Sequence, residues 1–151
     1  MSKEIQRSTL CEIIIDGSSE AIMYSDSQGV IRLWNHGAEK MFGYTEAEAL
    51  GKSLDLIIPE NLRERHWEGY FRVMESGSSR YSTEQLSAPA LRKDGTRIST
   101  EFSMILVIDE NGTVLGVAAV IRDITDQKKR ENELKERIRK HESDAPLGVI
   151  S

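Results

Sequence analysis

Two glycine-bearing turns constrain this chain most. Lys93-Asp94-Gly95 and Glu110-Asn111-Gly112 separate three long runs, Ser82–Arg92, Thr96–Ile108 and Val114–Ile124. An Asp-Gly or Asn-Gly pair between β-rich runs is a strong hairpin signal, because glycine enters the positive-φ region that tight turns need. In the middle run Ile98, Phe102, Met104, Leu106 and Ile108 alternate with Arg97, Ser99, Glu101 and Ser103. That period of two predicts a strand with one buried face and one wet face.

The first half has shorter elements. Ile5 to Asp16 reads as an amphipathic helix, with Ile5, Leu10, Ile13 and Ile14 roughly on one side. Ala21–Ser25 and Val30–Trp34 are predicted strands joined by Asp26-Ser27-Gln28-Gly29. Asn35 is placed to cap a helix through Met41 that Gly43 ends. Thr45 with Glu48 is a capping box for a second short helix, which Gly51 terminates. Pro59 suits the first turn of a third helix carrying Leu62, His66, Phe71 and Met74. The expected fold is α+β: a five-stranded antiparallel sheet covered on one face by short helices, with a pocket between the layers. Residues 1–16 form an N-terminal flanking helix, 17–125 the domain, 126–142 a charged exit helix and 143–151 a loose tail.

Composition narrows function by exclusion. A net charge of −5 offers no basic face for nucleic acid. No apolar run approaches bilayer-spanning length, and MSKEIQRSTL lacks the apolar core of a signal peptide. Cys11 is the single cysteine, so no internal disulfide forms and a reducing cytoplasm is the expected location. No nucleophile elbow, P-loop or dinucleotide glycine pattern is present, and Glu60, Glu64 and Glu68 share a helical face with arginines nearby, as a solvated ion-pair face does. The sequence gives no sign of an enzyme. His36, His66 and His141 lack zinc-like spacing. By residue type alone, His66 is a polar residue on an amphipathic helix, and Trp67 beside it is ordinary packing.

The segments AIMYSDSQGVIRLWNHGAEKMFGYTEAEALGKSL, LRKDGTRISTEFSM and GVAAVIRDITDQKKRE, in that order and spacing, resemble the PAS family of sensor domains. The resemblance covers roughly Ile13 to Arg130. In the flavin-adduct subgroup a reactive cysteine sits in a helix that corresponds here to GKSLDLIIPE, which has none, so adduct chemistry is excluded. The haem-binding FixL-type domains are more similar: they hold iron through a histidine in a segment resembling MPExxRxRH, and this chain reads IPENLRERH. The resemblance therefore implies haem b with His66 as the iron ligand, and Pro59, Glu60, Arg63 and Arg65 in register. It places Arg72 and Arg80 where those domains have basic partners for the haem propionates, which need charge-assisted hydrogen bonds.

Leu86 stands where the FixL type has an arginine that hydrogen-bonds bound oxygen. Without that donor, a response to CO, NO or redox state is expected ahead of oxygen sensing. Met104, on the adjacent strand, is a candidate second axial ligand; by type alone it is a core residue, as is Phe102. Alternatives stay open: a small organic ligand or non-covalent FAD or FMN in the same pocket, or a cofactor-free dimerisation domain. The exit helix places Ile124, Glu131 and Ile138 at one heptad position and Gln127, Leu134 and His141 at the other, too polar for an isolated coiled coil but suited to a weak seam. The expected partners are a second copy in a homodimer and a downstream signalling protein; otherwise both flanking helices fold back on their own sheet. The chain is either the sensor piece of something longer or a stand-alone domain that signals by contact, and the tail SDAPLGVIS, which reads as a natural end, slightly favours the second.

Overall fold

The computed structural model describes residues 4–77 and 85–144. The elements run α1 (Arg7–Gly17), β1 (Ala21–Asp26), β2 (Ile31–Trp34), α2 (His36–Phe42), α3 (Glu46–Ala49), α4 (Arg63–Ser76), β3 (Leu86–Leu91), β4 (Arg97–Ile108), β5 (Val114–Asp123) and α5 (Thr125–Asp144). The five strands form one antiparallel sheet in the order β2-β1-β5-β4-β3. The hairpin turns thus give three neighbours in a row, while the β1–β5 pairing joins the two ends of the domain. β3 is an edge strand, so the missing N–H of Pro89 breaks no central ladder. Of the predicted third-strand residues, 82–84 lie outside the described residues.

Asn35 ties the first half together. It is buried, and its Oδ1 accepts from the N–H groups of Ile22 (2.8 Å) and Ala38 (2.9 Å). Its Nδ2 donates to the carbonyls of Ile15 (2.7 Å) and Glu20 (3.1 Å). One side chain therefore caps α2 and pins the end of α1 and the start of β1 to it. The crossing is so close that a Cβ on Gly37 would sit 2.1 Å from the Glu20 oxygen. Gly43 ends α2 in the left-handed region, and Thr45 and Glu48 form the capping box.

The core lies between the sheet and α2–α4, around Trp34, Phe42, Ile31, Ile98 and Ile121. Register sets two transverse rows on this face: Met23–Ala119–Met104, and Ala21–Ile121–Phe102–Leu86. The alternation in β4 departs from expectation at its end. A register shift at Val107/Ile108 leaves Ile108 exposed, and Ile105, on the face expected to be wet, is 56% exposed. Neither flanking helix buries its apolar residues: Ile5, Leu10, Ile13 and Ile14 around α1, and Leu134 and Ile138 on α5, are exposed. Among the described residues no helix is long and apolar enough to cross a membrane.

Candidate functional site

α4 builds one wall of a cavity and the inner sheet face builds the other. A 3₁₀ turn, Glu60–Leu62, follows Pro59 and leads into α4. Two side chains fix the helix start. Arg63 donates from Nε to the Ile58 carbonyl (3.0 Å) and from Nη2 to that of Asp55 (3.2 Å), and Trp67 Nε1 donates to Asp55 Oδ1 (2.7 Å). Trp67 also lies against Gly29, where a Cβ would fall 2.1 Å from the indole. Trp67 is thus a packing residue and does not line the cavity. Leu62, His66 and Tyr70, spaced by four, share the face that lines it.

The cavity measures about 200 Å³. Its lining is apolar, with Phe42, Leu54, Ile57, Phe102, Met104 and Ile121 prominent, and four polar side chains reach it: Ser25, His66, Tyr70 and Thr100. Three of them are satisfied by protein partners. The Tyr70 hydroxyl donates to the Asp26 carbonyl and meets Ser25 Oγ at 2.9 Å, and Thr100 Oγ1 donates to the Ala88 carbonyl at 2.7 Å. His66 differs, because its Nδ1 is buried with no hydrogen-bond partner. Its ring lies edge-on to Trp67 at 4.8 Å and tilted against Tyr70 at 5.7 Å. Burial holds the imidazole pKa below its ordinary value of 6.5 against the smaller opposing pull of Asp55, so the neutral, lone-pair-bearing ring prevails at neutral pH. Burial likewise raises the Tyr70 pKa, and its hydroxyl stays protonated.

The residues singled out from sequence are not brought together as a group. His66 and Met104 line the cavity. Leu86 does not line it, although it shares a row with Phe102 and Ile121, which do. Arg72, six residues beyond His66, is on the exposed side of α4, and Arg80 lies outside the described residues. His36, within 3.3 Å of Glu39, and His141 are exposed, and Cys11 is exposed on α1. Tyr70 was missed in the sequence, though its place one turn after His66 on the same face was a usable signal.

The donor set fits haem in one respect and constrains it in another. Among the described residues no three His, Cys, Asp or Glu side chains cluster as a metal site. Iron in a macrocycle brings its other ligands with it, so His66 alone would suffice to hold it from the protein side. His66, on the apolar lining and with its buried Nδ1 unpartnered, suits that role. The volume is small against the ~300–1,000 Å³ of typical ligand pockets. A tetrapyrrole therefore enters only with outward movement of α4, a helix of 14 residues whose one buried side chain is Tyr70.

Comparison with known proteins places these observations. A family model described as the PAS domain matches residues 19–126. The sensor protein FixL of Bradyrhizobium diazoefficiens is 30% identical over 142 residues, 86% of this chain and 25% of that protein. The oxygen sensor protein DosP of Escherichia coli K12 is 32% identical over 100 residues, 66% of this chain and 12% of that protein. Both relatives are several times longer than the stretch matched. The PAS domain structure of a Colwellia psychrerythraea protein superposes with a TM-score of 0.68 at 24% identity, covering 80% of this chain and 99% of that one.

Proposed function

The chain belongs to the PAS domain family and is a signal-sensing domain, and from that premise we propose that it senses through haem b, held in the cavity under α4 by His66. The observation that carries the reading is His66 itself, on the apolar lining of the cavity with its Nδ1 buried and unpartnered, within a segment resembling the FixL-type iron ligand. Bound haem supplies an iron centre that takes up a diatomic gas or changes oxidation state. His66 offers a neutral imidazole as ligand, and the Met104 thioether approaches the cavity from the sheet as a second ligand. Arg80 would, by resemblance, pair with a propionate, whereas Arg72 is on the exposed side of α4 and does not line the cavity. Leu86 offers no hydrogen-bond donor, which favours CO, NO or redox state over oxygen as the signal.

Output passes along β4. Its residues Thr100, Phe102 and Met104 line the cavity, and the neighbouring Ser99 holds the start of α5. The Ser99 N–H donates to Thr125 Oγ1 (3.0 Å), and its carbonyl accepts from the Ile124 N–H (2.9 Å). The exposed Ile105, with Ile13 and Ile14 on α1 and Leu134 and Ile138 on α5, is apolar surface for a second copy in a homodimer. A downstream signalling protein in the cytoplasm reads that contact, and the chain itself catalyses nothing.

The absorption spectrum of the full chain, purified after haem supplementation, tests the reading. A Soret band that is lost in His66→Ala supports it. A flavin spectrum replaces haem with FAD or FMN, and a featureless spectrum overturns cofactor binding.

A further inference from the structure

We propose that α5 pairs with α5 of a second copy in antiparallel orientation, with Ile138 against the partner's Leu134 and Glu131 against the partner's His141. The proposal rests on the homodimer reading above and names the geometry of its helical part. α5 has 20 residues, and those from Asp126 to Ser143 are all exposed. A helix of that length is marginal in water without a packed face. Leu134, Arg137, Ile138, His141 and Glu142 line one shallow groove along it, and Leu134 and Ile138 are 57% and 54% exposed. The outward charges Glu136 and Arg139 are paired within the helix. Among the described residues, the side chains of Lys128, Lys135, Arg137, His141 and Glu142 have no ion-pair or hydrogen-bond partner.

Charges on and beside a helical seam set its orientation. In a parallel pair equal heptad positions meet, so Glu131 faces the partner's Glu131 inside the seam, where a carboxylate without a counter-charge is costly. Each Arg130 then lies beside the partner's Lys135, and on the helix itself only Arg137 gains an opposite charge, the partner's Glu142. An antiparallel pair centred between Leu134 and Ile138 removes the core conflict. Its aliphatic side chains form two equal layers, and in the next layer on each side a ring N–H of His141 donates to the partner's Glu131 carboxylate. Gln127 Nε2 already donates to Glu131 Oε1 at 3.3 Å and keeps that carboxylate on the seam face. At the rim Lys128 gains the partner's Glu142. Like charges meet only at the twofold axis, where Lys135 and Arg137 each face their own copy and their long stems carry the charge into water. Each α5 start, held by Ser99, then lies beside the end of the partner's α5, so a shift of β4 in one copy reaches the other.

Thiol cross-linking of the full chain tests the orientation, in a Cys11→Ser background that leaves no other cysteine. Light scattering first gives the oligomeric state. Chains carrying Glu131→Cys and chains carrying His141→Cys are then mixed and treated with a short bis-maleimide. Antiparallel pairing sets residues 131 and 141 of different chains side by side and separates identical positions by about 15 Å along the axis. Cross-links are therefore expected only between the two kinds of chain, and parallel pairing reverses the pattern. Because the first variant removes a carboxylate that the seam uses, Lys135→Cys gives a second measurement. It lies at the twofold axis and is expected to cross-link to its own copy, whereas a parallel pair puts the two on opposite sides of the seam. All three positions are exposed, so the folded body is left intact. A dimer in which Glu131→Cys chains cross-link only to themselves overturns the antiparallel seam and leaves the homodimer standing. A dimer with no cross-link at any of these positions overturns pairing through α5, and a monomer overturns the homodimer and this proposal together.

Discussion

Tyr70→Phe isolates what holds the movable wall of the cavity in place. Tyr70 is 8% exposed and Ser25 is 3% exposed, and the phenol oxygen links α4 to β1 through Ser25 Oγ and the Asp26 carbonyl. Phenylalanine keeps the ring and its volume, so no packing defect accompanies the change. Two neutral hydrogen bonds are lost at about 1 kcal/mol each, and the Ser25 hydroxyl, now buried without its partner, brings the total to about 2–3 kcal/mol. In urea the midpoint should fall by that amount with an unchanged slope. Adding Ser25→Ala removes the stranded hydroxyl, so the double variant should be about 1 kcal/mol more stable than the sum of the singles. Because Tyr70 is the one buried side chain of α4, amide exchange should quicken in α4 more than in β1 or β5, and haem loading should quicken with it. A loss below about 0.5 kcal/mol, or exchange that rises equally everywhere, would refute the reasoning.

Asn35→Leu strands the N–H groups of Ile22 and Ala38 and the Glu20 carbonyl around a buried cap, the Ile15 carbonyl keeping the Ser18 N–H, and should destabilise the domain by about 3 kcal/mol or more, while Asn35→Asp, which keeps the acceptor, should lose less; chemical denaturation ranks them. The depressed pKa of His66 means that the unfolded chain takes up its proton first as pH falls. The contribution is complete above about pH 6.5, declines as pH drops below that value and levels off under the lower folded pKa, and His66→Leu should remove this limb from a stability–pH curve. Met104→Leu, nearly equal in volume, should alter the spectrum and CO affinity of haem-loaded protein; unchanged values would remove the thioether from the iron's coordination.

Local chemistry made the frame of this domain readable. The caps at Asn35 and Thr45 and the turns at Gly95 and Gly112 act over a few residues, and each stands where the sequence placed it. The β1–β5 pairing was not legible, because it joins segments about a hundred residues apart and has no local signal. The chain also hid the outward side of Ile105, since alternation names two faces without saying what covers either. At the site, the IPENLRERH segment directed attention to His66. Only the structure showed that Arg63 on that segment and Trp67 just after it serve to fasten the helix to Asp55 and Ile58. Arg72 was read by register alone, and register does not say that a residue six positions on faces away from the cavity.

The attachment of α4 explains how so small a cavity could serve a large cofactor. Its polar anchors fall in two groups. Arg63 and Trp67 hold the first turn to the segment before it, and Tyr70 crosses to the sheet. Release of Tyr70 therefore frees the body of the helix while its start stays fastened, which makes the first turn a pivot. A ligand can open such an element only by as much as it prefers the open form. The opening to be driven is of the order of the Tyr70 bonds, about 2–3 kcal/mol, plus the apolar contacts along Leu62 and His66. A metal–imidazole bond with burial of a large apolar ring is of a scale to drive it. On the proposed reading, haem that displaced this helix would press on β4, the strand that holds α5.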